Sequence, residues 1–271
     1  MQQMHIGVNS KTINMKTKAN VLVLYGYGLN CEQETLLAFS MAGCKGDIVH
    51  INDVISKPAI LKKYNILAFP GGFSYGDDTG SGRAYGNKVK NHLQKEIQDF
   101  VKRDTLVIGI CNGFQILTHI GLLPGTLLHN KKARYIDRWV DLKIESESPW
   151  LKSITELSLP IAHGEGRYYI DEKGKKKLEK EHAILGRYVE GETCAFSGLA
   201  GNPNGALDAI AGVTSHNGRV IGLMPHPERA VSFLQLPHWT YLKETTYRDK
   251  KIPTDGPGLL IFKNAAKYFS K

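Results

Sequence analysis

Residues 106–117, LVIGICNGFQIL, set one cysteine, Cys111, between Gly109 and Gly113. An apolar run precedes it and a helical pattern follows, so the cysteine stands where a strand turns into a helix. A turn that tight brings the positions two residues either side against neighbouring backbone, where a side chain would collide. The apex residue is lifted clear of the sheet edge and can meet a substrate. Helix N-termini favour thiolate over thiol, because the backbone dipoles place positive charge there. G-x-C-x-G is thus the thiol form of a nucleophile elbow. Cys31, Cys44 and Cys194 lack this frame and read as structural.

A thiol nucleophile needs a base. Among ten histidines, His226 has an unusual setting, Met224-Pro225-His226-Pro227-Glu228. A residue before proline is held out of the helical region. In an extended segment, positions two apart share a face. Glu228 is therefore expected beside His226, where its carboxylate can fix the imidazole's tautomer. Cys111, His226 and Glu228 form a candidate triad by role. A third segment, FPGGFSYGDD at residues 69–78, follows an apolar run. In open α/β sheets ligands bind beyond the carboxyl ends of strands. Glycine backbone there can present N–H groups to an oxyanion. A phosphate cradle is the weaker alternative, since neither GK[ST] nor a helix-opening G-x-G-x-x-G is present.

These residues need a frame. Short apolar runs predict strands over 21–25, 47–51, 65–69 and 106–110, and helical spacing predicts helices over 34–41, 86–101 and 114–120. That alternation argues an α/β fold with a mostly parallel central sheet flanked by helices. Beyond Gly125 further strands are expected over 139–144, 160–162, 187–196, 209–213 and 219–224, with a closing helix over 258–269. The lysine run at 171–181 reads as a solvated turn and helix. Residues 20–271 are expected to form one domain, preceded by a flexible tail over 1–19.

Composition narrows the function classes. The chain has 271 residues, 42% hydrophobic and 23% charged, which excludes disorder and collagen-like repeats. No apolar run reaches the ~18 residues of a membrane helix, and no secretory signal is visible. Scattered cysteines without a CxxC pair argue against a disulfide framework or a metal site, and fit a reducing, cytoplasmic setting. The net charge of +9 gathers partly at residues 129–138, HNKKARYIDR. Such charge suits anionic ligands or an acidic partner. No aromatic-studded basic stripe suits single-stranded nucleic acid.

Five motifs in order, FPGGFSYGDD at 69–78, GICNGFQIL at 109–117, AHGEGRY at 162–168, NPNGALDAIAG at 202–212 and GLMPHPERA at 222–230, resemble those of class I, triad-type glutamine amidotransferases. Within that family they are similar to the glutaminase subunits of phosphoribosylformylglycinamidine synthase, an enzyme of purine synthesis. The resemblance implies a flavodoxin-like fold, with Cys111 as nucleophile, His226 as base and Glu228 as the orienting carboxylate. It implies an oxyanion hole from the N–H groups of Gly72 and Asn112. Gln115, Gly71, Phe73 and His163 are implied around the glutamine, with Glu165 near His163. Asn30-Cys31-Glu32 resembles an early element of the family, which gives Cys31 a role other than nucleophile. The implied substrate is L-glutamine, and the implied partner is a synthetase that binds ATP and magnesium, with room for a small third subunit. No cofactor, nucleic acid or membrane is implied for this chain. Another cysteine-elbow hydrolase of the same fold, or a glutaminase serving a different amidotransferase, is the alternative.

Overall fold

A computed structural model describes residues 18–77 and 80–270. The chain runs β1 (Asn20–Tyr25), α1 (Glu32–Met41), β2 (Lys45–His50), α2 (Ile51–Ser56), β3 (Ile66–Phe69), α3 (Arg83–Lys102), β4 (Leu106–Ile110) and α4 (Asn112–His119). It continues with β5 (Thr126–Leu128), β6 (Ile136–Ile144), β7 (Glu156–His163), β8 (Arg167–Tyr169), α5 (Glu172–Lys180), β9 (Ile184–Val189) and α6 (Glu192–Ser197). The last elements are β10 (Ile210–Ser215), β11 (Val220–Leu223), α7 (Trp239–Thr245) and α8 (Leu259–Tyr268).

Among the described residues, nine strands form one sheet in the order β2-β1-β3-β4-β11-β10-β9-β6-β7. The first five are mutually parallel. Each of β1, β3, β4 and β11 is apolar and buried along its length or nearly so, as strands covered on both faces must be. The other four strands extend the sheet with antiparallel pairings. From β1 the chain steps one way to β2, and from β3 it steps the other way to β4. The order therefore reverses between β1 and β3, and the carboxyl ends of those strands open a crevice there. The loops after them meet across it: the N–H groups of Asn30 and Cys31 both donate to the Gly71 carbonyl at 3.2 Å.

The α/β architecture matches expectation, with local differences: α2, β5, β8 and α7 were not expected, and the strand expected over 160–162 runs over Glu156–His163. The strand expected over 187–196 stops at Val189, and residues 192–197 are helical. Asp141 on β6 decides this, since its Oδ2 accepts the Cys194 N–H at 2.8 Å and caps the helix from outside. The second strand ends before Ile51, because the His50 side chain accepts the Asn52 N–H and starts α2. Of the expected tail, residues 1–17 lie outside the described residues. Ala19 belongs to the domain: it is buried, and its carbonyl accepts the Lys45 N–H at 3.1 Å.

The elbow glycines carry the strand-to-helix turn. A Cβ on Gly113 would lie 1.9 Å from the Phe69 carbonyl oxygen, and one on Gly109 would lie 2.7 Å from the carbonyl of Gly113. Both obstacles are backbone, so neither can swing aside. Gly113→Ala is expected to lower the melting temperature by about 5 °C or more, an overpacking cost of a few kcal/mol in a domain of this size. Thermal unfolding checks it, and a wild-type melting temperature would contradict the packing described.

Candidate active site

Cys111 caps α4 with φ 50° and ψ −105°, a backbone conformation that a side chain adopts only under constraint. Its N–H donates to the Leu223 carbonyl at 2.8 Å, tying the elbow to the end of β11. The chain leaving β11 reaches His226 within three residues. The His226 N–H donates to the Pro160 carbonyl on β7 at 2.8 Å, which anchors it against the antiparallel half of the sheet. Cys111 faces the same strand, its Sγ 3.8 Å from the Ala162 carbonyl oxygen.

His226 and Glu228 come together as expected, with Nδ1 and Oε1 2.6 Å apart and both side chains buried. The route differs from the one expected. His226 itself is non-helical, but Pro227–Arg229 is a turn of 3-10 helix, and it is this turn that folds Glu228 back onto the ring. Burial alone would push the imidazole's pKa down. The Glu228 carboxylate, with the Cys111 and Cys31 sulfurs, outweighs that and holds it well above the ordinary histidine value. His226 Nε2 makes no hydrogen bond among the described residues, although Cys111 is near enough to act on it. A free nitrogen beside a thiol is the arrangement a proton transfer between them requires.

The two expected oxyanion donors lie at the ends of adjacent strands, β3 and β4. Gly72 pairs with Leu29 through flanking bonds, from Asn30 N–H to Gly71 and from Phe73 N–H to Gly28. Its own N–H donates to no acceptor among the described residues, and neither does that of Asn112 at the first turn of α4. A Cβ on Gly72 would fall 2.4 Å from the Gly28 carbonyl oxygen, so only glycine keeps the loop this close.

The remaining residues are placed more variously. Asn112 donates through Nδ2 to Gln115 Oε1 at 2.6 Å and accepts the Ser74 N–H at 3.2 Å. Gln115 Nε2 donates to the Glu165 carbonyl at 2.5 Å. Both ends of the Gln115 amide are engaged within the protein, which makes it a brace between the elbow and the HGEG loop. Gly71 lies under the His226 ring, where a Cβ would come 2.6 Å from Cε1. Phe73 is half-exposed at the rim, its ring centroid 6.0 Å from that of Tyr135. His163 is buried at the end of β7, its pKa pushed down to about 4 by burial and by the charge of His226. It is neutral near pH 7. Its Nδ1 faces Asn130 Oδ1 at 3.1 Å, and its Nε2 has no partner among the described residues.

Two residues were not anticipated from sequence. Asn130 holds the HGEG loop from inside, donating to the His163 and Arg134 carbonyls at 2.8 Å and accepting the Gly166 N–H at 3.1 Å. Asn204 of NPNG donates to the Gly166 carbonyl at 2.8 Å. NPNG and the start of the basic stretch thus buttress HGEG. The only signal was that both asparagines sit in turn-rich polar segments, which says nothing about their partners. Arg229, next to the triad, donates to Cys31 Sγ at 3.1 Å and to Glu34.

The chain is similar to known proteins along nearly all of its length. The profile of the CobB/CobQ-like glutamine amidotransferase domain matches residues 18–269. The chain is 46% identical over 266 residues to phosphoribosylformylglycinamidine synthase subunit PurQ of Methanococcus maripaludis, covering 93% of this chain and 98% of that one. It is 39% identical to the protein of the same name from Dehalococcoides mccartyi, over 93% of this chain and 98% of that one. Among solved structures, PurLQS from Thermotoga maritima superposes with a TM-score of 0.68 at 31% identity, covering 92% of this chain and 98% of the matched one. With a cysteine elbow, a paired His226 and Glu228 and a match across nearly all of its length, the chain belongs to the family of CobB/CobQ-like glutamine amidotransferase domains.

Proposed function

We propose that this chain is the glutaminase subunit of a phosphoribosylformylglycinamidine synthase. It hydrolyses L-glutamine to glutamate and ammonia and passes the ammonia to a synthetase partner. The partner uses it for the ATP-dependent conversion of formylglycinamide ribonucleotide to formylglycinamidine ribonucleotide. The observation that carries the reading is the Cys111 elbow meeting the buried His226–Glu228 pair, in a chain so similar to PurQ proteins along its length.

The residues act as follows in this reading. The Cys111 thiolate attacks the side-chain carbonyl carbon of glutamine, and the carbonyl oxygen becomes an oxyanion. The Gly72 and Asn112 N–H groups receive it, each contributing about 3–4 kcal/mol. His226 gives a proton to the departing nitrogen, which leaves as ammonia and a γ-glutamyl thioester remains. His226 then takes a proton from water, whose oxygen attacks the thioester carbonyl, and the sulfur departs as thiolate with glutamate released. Glu228 holds the imidazole in the tautomer that presents Nε2 to the sulfur. ATP and magnesium belong to the partner, and a small third subunit fits the assembly named for the Thermotoga maritima relative, PurLQS. A cytoplasmic setting suits a catalytic thiol that must stay reduced. Among the described residues, no helix is long and apolar enough to cross a membrane.

The basic stretch is the proposed docking edge. Lys131, Lys132 and Arg134 are exposed, and Tyr135 beside them lies close enough to Cys111 for the sulfur's charge to act on it. Arg138 is excluded, because its guanidinium binds the Ala200 and Gly201 carbonyls. A partner that binds only the competent arrangement of the Gly71–Gly72 loop raises activity by population shift. The isolated chain is therefore expected to turn over glutamine slowly and to be activated by its synthetase, with added salt weakening the association. Charge reversal at Lys131, Lys132 and Arg134 should reduce that activation more than it changes the basal rate. Glutamate release, measured with and without the synthetase, tests both statements. Full activity of the chain alone would refute the coupling. Unchanged activation of the reversed variant would refute the docking edge.

A further inference from the structure

His226 has a second sulfur beside it that the reaction does not use. Cys31 lies at the end of the loop after β1 and is buried. One donor atom each from Cys31, His226 and Glu228 lies within 4.8 Å of the other two. Two further observations concern the surroundings of this cluster. Glu228 Oε2 is buried with no partner among the described residues. Gly71 backs the cluster closely: a Cβ there would be 2.6 Å from His226 Cε1, 3.1 Å from Cys31 Sγ and 3.2 Å from His226 Nδ1, so only glycine lets the ring and the thiol come together here. Thiolate, imidazole and carboxylate are donors that zinc accepts, and bond lengths of about 2.0–2.3 Å require the thiol to close in while Nδ1 and Oε1, now 2.6 Å apart, part to admit the ion.

We propose that Cys31, His226 Nδ1 and Glu228 form an inhibitory site for a thiophilic divalent cation such as Zn²⁺. The ion is not part of the glutaminase reaction; it switches the base off. On binding, the Cys31 thiol and the His226 Nδ1 release their protons to solvent, and the metal takes both positions. Two anionic ligands then balance the dication, and water completes the coordination. The Arg229 guanidinium, 3.1 Å from Cys31 Sγ, favours the thiolate but opposes the cation, and Glu34 partly neutralises it. With the metal on Nδ1, the neutral ring holds its single proton on Nε2, retained where the ring starts as imidazolium and taken up from solvent where it starts with Nε2 bare, so Nε2 can no longer accept one from Cys111 or water. Metal binding itself stands on the geometry alone, whereas the inhibitory consequence rests on the glutaminase reading.

The experiment separates the two. Full-length chain, stripped of metal and kept reduced, is titrated with ZnCl₂ against a chromophoric chelator. One equivalent is expected to bind, at least about tenfold more weakly in Cys31→Ala and with less than about threefold change in Cys111→Ser, as loss of a ligand and of a non-ligand predict. Cd²⁺ gives a second readout that needs no folded Cys31 variant for its positive arm. Its thiolate charge-transfer band should appear in Cys111→Ser chain and be absent from Cys31→Ala chain shown to be folded by circular dichroism, because an unfolded chain would offer Cys44, Cys111 and Cys194 to the ion. Equal Zn²⁺ affinity in folded Cys31→Ala, or no cadmium band in Cys111→Ser, would overturn the site. Zn²⁺ that binds as described but leaves glutamine turnover unchanged would overturn the inhibition and not the site.

Discussion

Replacing Cys111 by alanine is expected to lower glutamine-dependent product formation by at least about 10³-fold in the complex with the synthetase, the scale on which loss of a covalent nucleophile is felt. Product formation from free ammonia should persist, because ammonia enters downstream of the thiol. The split between the two nitrogen sources carries the diagnosis. Cys111 is held by backbone bonds to Leu223 and Gln115 and by the elbow glycines around it, none of which needs the sulfur. Removing the sulfur therefore removes chemistry and not structure. Glutamine-dependent turnover near the wild-type rate would remove Cys111 from the reaction. Loss of the ammonia-dependent rate as well would show that folding or docking, and not acyl transfer alone, had failed.

The second large effect is expected at the base. His226→Ala should lower glutamine turnover by about 10³-fold or more, and Glu228→Gln by about 10²-fold, since the carboxylate orients and charges the ring but carries no proton itself. The pH profile distinguishes orientation from mere damage. Burial lowers the His226 pKa, and Glu228 and the neighbouring sulfurs more than reverse it. With Glu228→Gln one of those opposing charges is gone and burial remains, so the pKa falls. Thioester hydrolysis needs the neutral ring. The acid limb of kcat is thus expected to move to lower pH in Glu228→Gln while the plateau drops. A plateau that drops with the limb unmoved would mean that Glu228 does not set the charge of His226. A His163→Ala loss as large as that of His226→Ala, in folded protein, would redraw the triad.

What could be read from the chain alone divides along a physical line. The elbow was legible because its demands are local: a strand, two glycines and a helix within 12 residues of sequence. Four of the five parallel strands, β1, β3, β4 and β11, were legible because burial on both faces writes an unbroken apolar run, whereas the edge strand β2 is part-exposed and mixed in composition. The His226–Glu228 contact was legible, but its cause was not, since Pro227 opens a 3-10 turn where extended backbone was expected. The α6 helix was illegible because residues 192–197, ETCAFS, contain β-favouring threonine and phenylalanine, and the cap that settles them comes from Asp141, 53 positions away. Distance in sequence also hid Cys31. Nothing near Asn30-Cys31-Glu32 shows that the loops after β1 and β3 close over His226 and bring a second thiol to it. The roles of Asn130 and Asn204 are of the same kind, since a turn asparagine becomes a buttress only when the HGEG loop arrives beside it.

A covalent intermediate at the Cys111 sulfur is tested most directly by mass spectrometry of an acid-quenched reaction. The chain with its synthetase is mixed with L-glutamine, quenched in acid within the turnover time and digested under conditions that preserve thioesters. A γ-glutamyl adduct is predicted on the peptide containing Cys111, absent when glutamine is omitted and absent from Cys111→Ala. An adduct on the peptide containing Cys31, or steady glutamate release with no adduct on any cysteine, would contradict the account.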